Sequence, residues 1–141
     1  MKFILALLCC LSLSACSGSK PSVVTIQSDG NKMAYLTKEF TVKVNQEISL
    51  IMDNVATIPV MKHNVVILTD ESKVAEIGRL AMSAPNYLPE HPAILAATAI
   101  AGAGEKTEIT FTAPSKPGKY VFICTFPGHC NIMKGYMIVE S

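Results

Sequence analysis

Ten residues near the C-terminus, Cys124-Thr125-Phe126-Pro127-Gly128-His129-Cys130-Asn131-Ile132-Met133, carry two thiols, an imidazole and a thioether. Four residues separate Cys124 from His129, and three separate His129 from Met133. Upstream, His63 opens an apolar run, Asn64 to Thr69. Together His63, Cys124, His129 and Met133 form a mixed soft and borderline donor set. Thiolate and thioether favour Cu(I), and imidazole serves both copper states, so the set suits a copper ion cycling between Cu(I) and Cu(II). Two His and one Cys with a weak axial Met is an electron-transfer arrangement. Each residue alone has a plainer reading. Met133 could be core packing, His63 a hydrogen-bonded polar residue at a strand end, His129 a loop residue and Cys124 a buried inert thiol. The coincidence of all four favours the metal.

Such a set needs rigid supports, and the rest of the chain offers strands. A strand ending at Cys124 and a tight Pro127-Gly128 turn would place three of the ligands within about ten residues, with His63 arriving from a neighbouring strand. Val23–Gln27 is a β-branched run ahead of the turn cluster Ser28-Asp29-Gly30-Asn31. Phe40, Val42 and Val44 alternate with polar residues, as a half-buried strand does. Ile48–Met52, Asn64–Thr69, Glu108–Thr112, Tyr120–Cys124 and Gly135–Glu140 read as further strands. Short strands between turn signals predict an all-β sandwich. Ser72 to about Ala101 departs from this pattern. Ser72 is placed to cap a helix through Val74, Ile77, Leu80 and Ala81. Pro85, Pro89 and Pro92 break the chain beyond that helix, and Ala93–Ala99 suggests a second short helix. The expected insertion is a helical flap, read as a surface crossover on one sheet rather than a functional lid.

Composition sets the outer limits. The chain has 141 residues, enough for one domain, with 50% hydrophobic and 16% charged residues. Twelve Lys and Arg face eleven Asp and Glu, and this balance argues against nucleic acid as a partner. Met1-Lys2 followed by the apolar stretch Phe3–Leu13 suits an export signal and is too short to span a bilayer. The stretch ends in Leu13-Ser14-Ala15-Cys16, which resembles the lipobox of bacterial lipoproteins. That resemblance implies a signal over residues 1–15, lipidation of Cys16, a tether over 16–22 and a folded domain over 23–141. It also implies an exported protein, membrane-anchored and facing the periplasm. Of five Cys, only Cys124 and Cys130 then remain as thiols in the domain.

The run Cys124–His129, with Met133-Lys134-Gly135 behind it, resembles the azurins, blue-copper proteins of the cupredoxin family. Met61-Lys62-His63-Asn64-Val65, Asn86-Tyr87-Leu88, Gly102–Lys106 and Ser22–Gln27 extend the likeness over most of the chain after residue 22. The resemblance implies a Greek-key sandwich of about eight strands with one copper at its end. It implies His63, Cys124 and His129 as equatorial ligands, Met133 as the axial one, and Asn64 as the residue tying the two ligand loops together. Azurins present a glycine carbonyl just before the first His. Here Lys62 stands in that place, and a weaker or longer carbonyl contact is expected. Azurins also carry a disulfide whose first Cys falls at Ser22. It is absent here, with an expected cost to the metal-free domain of about 2–4 kcal/mol.

The function so implied is single-electron transfer rather than catalysis. Neither an acid–base pair nor a nucleophile triad stands out. By resemblance the electron crosses at His129, ringed by the apolar residues Val60, Met61, Phe126, Pro127 and Ile132 as a partner docking patch. A c-type cytochrome or a membrane or periplasmic reductase would be the partner, with the lipid anchor holding the carrier at the membrane. The alternative is a lipoprotein that stores or delivers copper. Cys130 bears on that choice. It could be an inert small residue, a disulfide partner of Cys124 in the oxidised metal-free protein, or an occasional metal ligand. His91, in Glu90-His91-Pro92, reads as a surface loop residue.

Overall fold

The computed structural model describes residues 20–141. The expected signal over 1–15 and the lipidation site Cys16 lie outside the described residues, with most of the tether. Alternation and β-branching produce seven strands where the sequence suggests them, and Ile94–Ala97 adds an eighth that it does not suggest. These are β1 (Ser22–Gln27), β2 (Glu39–Lys43), β3 (Glu47–Asp53), β4 (Val66–Leu68), β5 (Ile94–Ala97), β6 (Lys106–Thr112), β7 (Gly118–Ile123) and β8 (Lys134–Glu140). Strand β1 already begins at Ser22, one residue inside the expected tether.

The strands form two sheets. One has the order β1-β3-β6, and the other β2-β8-β7-β4-β5. Strand β1 runs parallel to β3, and β2 parallel to β8; the other pairings are antiparallel. Every antiparallel neighbour except β7 with β8 is non-consecutive or reached across the flap, so chain crossovers join the layers into an all-β sandwich. The inner faces meet in a core of Ile26, Ile48, Leu50, Met52, Val65, Ile67, Phe122 and Met137, with Cys124 and Met133 in the same cluster. Thus two of the candidate ligands belong to the core itself.

The flap differs from expectation in two places. Ala93–Ala99 contains no helix. Ile94–Ala97 is strand β5, paired antiparallel with β4 from Val66 opposite Ala97 to Leu68 opposite Ile94. Alanine favours helix locally, but pairing with β4 and burial of Ala96 outweigh that weak preference. The insertion is therefore shorter than expected and ends before β5. Its helix α1 spans Val74–Ala81 and buries Ile77 and Ala81. Ser72 is not its cap. Ser72 lies within a preceding 3-10 turn, Glu71–Lys73, and its N–H donates to Asp70 Oδ1 at 2.9 Å, so Asp70 is the capping residue. Ile77 packs with Val66, Leu68, Val121 and Ile123 in a second, smaller core outside the five-stranded sheet, as a crossover on one sheet should.

Candidate metal centre

Strand β7 carries the chain to the metal end and stops at Ile123, placing Cys124 as the first residue beyond the ladder. The turn after it is built from its own backbone. His129 N–H donates to Phe126 O at 3.0 Å, and Ile132 and Met133 N–H donate to His129 O at 3.0 and 2.8 Å. Cys124 N–H donates to Met133 O at 3.1 Å and closes the loop. Gly128 turns with φ at +84°, a left-handed conformation that suits glycine. The short spacing therefore brings Cys124 and Met133 back together, both fully buried.

His63 reaches the same place from the other side. It lies ahead of β4 and forms an isolated bridge with Ala101, with N–H···O distances of 3.1 and 2.8 Å in the two directions. Its Nδ1 stands 3.9 Å from Cys124 Sγ, and His129 Nδ1 stands 3.6 Å from the same sulfur. The ligand atoms of His63, Cys124 and His129 all lie within 4.8 Å of one another. The two imidazole rings are 5.1 Å apart, centroid to centroid. His63 and Cys124 have no solvent exposure, while His129 keeps 4%.

The electrostatics of this cluster favour metal binding. Burial lowers the His63 pKa to about 4, with the neighbouring His129 adding to the effect. Burial also lowers that of His129. Both rings are then neutral at neutral pH and can offer a lone pair. Burial pushes the Cys124 thiol up to about 11, against the Asn64 and Phe126 backbone amides directed at the sulfur. A cation is what would turn this thiol into a thiolate. Among the described residues His63 Nε2 is buried with no hydrogen-bond partner. The case for a metal rests on the other ring nitrogen, Nδ1, which is set toward the sulfur. Two nitrogens and one sulfur, dry and convergent, fit copper.

The surrounding residues fix this geometry. Asn64 Nδ2 donates to Thr125 Oγ1 at 2.8 Å, and Thr125 N–H donates to Asn64 Oδ1 at 2.8 Å. This reciprocal pair joins the His63 arm to the Cys124 loop. Two contributors carry no sequence signal of this kind. Tyr35 Oη donates to the Asn64 carbonyl from within the core. Asn54, fully buried, donates through Nδ2 to the carbonyls of Met61, Ala101 and Gly102 at 2.8, 3.0 and 2.9 Å. It thereby holds the approach to His63. The sequence shows an asparagine just after a strand, but the backbone acceptors it binds leave no mark there.

The remaining expected residues differ in exposure and in what they touch. Lys62 is exposed, its N–H bonded to Val60 O at 3.1 Å. Val60 and Ile132 are exposed at 69% and 56%, and Met61, Phe126 and Pro127 are half-buried. Val55 and Ile58, on the loop leading to Met61, are also exposed and add to the apolar residues there. Phe126 meets the His129 ring edge-on at 5.1 Å. Cys130 and Cys124 are both free thiols, Cys130 half-buried. His91 is no simple surface residue. Its Nδ1 accepts from Ala93 N–H at 3.1 Å, its Nε2 lies 3.6 Å from Glu76 Oε1, and its side chain is only 13% exposed. It ties the flap loop to α1.

Comparison with known proteins agrees with this site. The family profile described as copper binding proteins, plastocyanin/azurin family, matches residues 22–140. Auracyanin-A of Chloroflexus aurantiacus is 35% identical over 129 residues, covering 88% of this chain and 78% of the relative. Azurin of Alcaligenes faecalis is 35% identical over 125 residues, covering 82% of this chain and 98% of the azurin. Among solved structures, the dithionite-reduced auracyanin of Roseiflexus castenholzii superposes with a TM-score of 0.77 at 40% identity, covering 88% of this chain and all of that one.

Proposed function

The chain belongs to the plastocyanin/azurin family of copper-binding proteins, and from that premise we propose that it is a single-electron carrier of the type 1 copper class. The observation that carries this reading is the dry convergence of His63 Nδ1, His129 Nδ1 and Cys124 Sγ at one end of the sandwich. Copper bound there supplies the one-electron Cu(I)/Cu(II) couple. His63, Cys124 and His129 would hold it, with the Met133 thioether as a weaker fourth donor. Only a weak or long contact is expected from the Lys62 carbonyl. Asn64 keeps the two ligand arms at a fixed separation, so little rearrangement accompanies a change of oxidation state.

The electron leaves beside His129, the ligand that keeps some exposure. Val60, Met61, Phe126, Pro127 and Ile132 form the docking patch around it. A redox protein such as a c-type cytochrome, or a membrane or periplasmic reductase, docks there briefly through apolar contact. The Leu13–Cys16 motif supports removal of residues 1–15, lipidation of Cys16 and anchoring of the exported domain at a membrane facing the periplasm.

Adding Cu(II) to the purified protein and recording visible absorption and electron spin resonance tests the reading. An intense blue band with narrow copper hyperfine splitting, lost on reduction and regained on oxidation, is the expected result. A colourless product that yields its copper quickly to a chelator would instead indicate copper delivery.

A further inference from the structure

Helix α1 and the turn Pro85–Tyr87 contribute no candidate ligand, yet both touch the loop that carries His129. Gly78, in the middle of α1, lies directly against Cys130. A β-carbon built on Gly78 would collide with Cys130 Sγ and lie 3.1 Å from Cys130 Cβ. Glycine is the poorest residue for a helix interior apart from proline, so its presence here matches the lack of room rather than any helical preference. Cys130 joins Ile77, Val74 and Leu88 in the smaller core, while its neighbours on the loop, Cys124 and Met133, belong to the main one. On the other side of His129, the Tyr87 ring meets Phe126 edge-on, at 5.1 Å and 79°. Phe126 in turn meets His129 at 5.1 Å and 68°. Tyr87 makes this contact from a left-handed backbone, with φ at +57°, a conformation that a bulky side chain adopts only under local constraint.

We infer that the helical segment is a bracket for the metal loop: Gly78 seats Cys130 and Tyr87 seats Phe126, so that His129 is positioned from both sides by residues that never touch a metal. This rests on the copper reading for its consequence but not for its geometry. Gly78 and Tyr87 are positioning residues, and Cys130 is the wedge between helix and loop. The segment then does more than cover a sheet: it limits the movement of the one candidate ligand nearest solvent.

A size exchange tests the bracket. Gly78→Ala, Cys130→Ala and the double variant are compared first without metal, by amide hydrogen exchange at His129 and Met133. Their N–H groups hold the loop through Phe126 O and His129 O at 3.0 and 2.8 Å. Gly78→Ala should speed this exchange about tenfold, because overpacking displaces the loop. The double variant should recover most of the protection, since removing the sulfur makes room for the added methyl. With copper bound, Gly78→Ala should lose the ion to a Cu(I) chelator about tenfold faster than wild type, with recovery again in the double variant. Tyr87→Ala should show the same loosening and Tyr87→Phe should not; this pair decides the matter if Gly78→Ala does not fold. Unchanged exchange in Gly78→Ala and Tyr87→Ala, or no recovery in the double variant, would overturn the bracket. If wild type takes up no copper, the carrier reading fails, and the exchange data still decide the bracket.

Discussion

The two arms that meet at the copper site are held by different forces. The His63 arm depends on buried side-chain amides that reach far along the chain. Asn54 binds carbonyls 7, 47 and 48 residues away, and Asn64 binds Thr125 across 61 residues. The Cys124–Met133 arm is a turn held by backbone bonds within ten residues, seated on apolar packing. A local turn fixes the spacing of its own ligands but not its place relative to anything else. Long-range polar bonds fix place, because each has one length and direction and leaves an unpaired group if it breaks. The contrast assigns geometry within the loop to the turn, and geometry between the arms to two asparagines.

The most severe way to break this contrast is to remove Asn54. Asn54→Ala unpairs the Met61 carbonyl and takes one of two donors from those of Ala101 and Gly102, which keep His63 N–H and Glu105 N–H; it also strands the Ser28 hydroxyl and Ala56 N–H that donate to its Oδ1. We expect a loss of about 3–4 kcal/mol in metal-free stability, read by urea unfolding. A loss below about 1 kcal/mol would mean that packing, not this amide, holds the His63 arm.

Acid tests both arms, because burial makes His63 and His129 alike resist protonation, and His63 is the one pushed down to about 4. The unfolded chain protonates His63 near its ordinary value of 6.5, and the folded chain only near 4. Between those values the unfolded state binds more protons, so stability is complete above pH 6.5 and declines as pH falls toward 4. His63 alone contributes about 3 kcal/mol to that loss in the metal-free protein, and His129, lowered in the same direction by burial, adds to it. Cys124 gives the opposite sign in alkali. Its folded thiol titrates near 11 against an ordinary 9.0, so stability declines as pH rises from 9 to 11. Metal-free stability should therefore be flat between these windows. A flat curve down to pH 4 would show that His63 is better solvated than its burial implies.

Asn64→Ala probes the joint between the arms. It strands Thr125 N–H and Thr125 Oγ1, at an expected cost of about 2 kcal/mol. The copper-bound protein should also show altered hyperfine splitting, which Asn54→Ala should produce only if the arm it holds has moved. Thermal unfolding and spin resonance on the same two variants separate anchoring from joining.

The same contrast governs how much of the site is legible in the sequence. The ligand loop is legible because its spacing is local: Cys124, His129 and Met133 are brought together by one turn of the chain. Asn64 is legible through its position beside His63. Asn54 is not, since all its partners through Nδ2 are backbone carbonyls and any residue supplies those. Strand β5 is hidden for a related reason. Ile94–Ala97 is strand because β4 offers it a free edge, and an alanine-rich run says nothing of such an edge. Asp70 rather than Ser72 caps the turn before α1, a choice of two residues that one cap signal cannot separate. Cys130 shows the same limit most clearly. Its sequence neighbours point to metal chemistry, while its spatial neighbour is Gly78, on a helix well upstream in the chain.

The smallest expected structural effect belongs to the surface of the His63 arm. Met61 is half-buried beside exposed Val60, and its N–H bonds Ile58 O at 2.9 Å, so its backbone is held independently of the side chain that it would lend to the proposed docking patch. A glutamate there needs no rearrangement of His63 or of the Cys124 loop. If that patch is where copies of the protein or a partner touch, Met61→Glu places a charge that must be desolvated, or must meet its own image, at each encounter. Electron self-exchange, measured by nuclear magnetic resonance line broadening in mixed oxidation states, should slow by about tenfold at low salt, with partial recovery at high salt. The blue band and the unfolding midpoint should stay where they are. A slowed exchange with a shifted band would mean that the His63 arm transmits the change inward. An unchanged exchange would move the docking face to the other arm, around Phe126, Pro127 and Ile132, where the bracketed loop rather than the asparagine-held one would meet the partner.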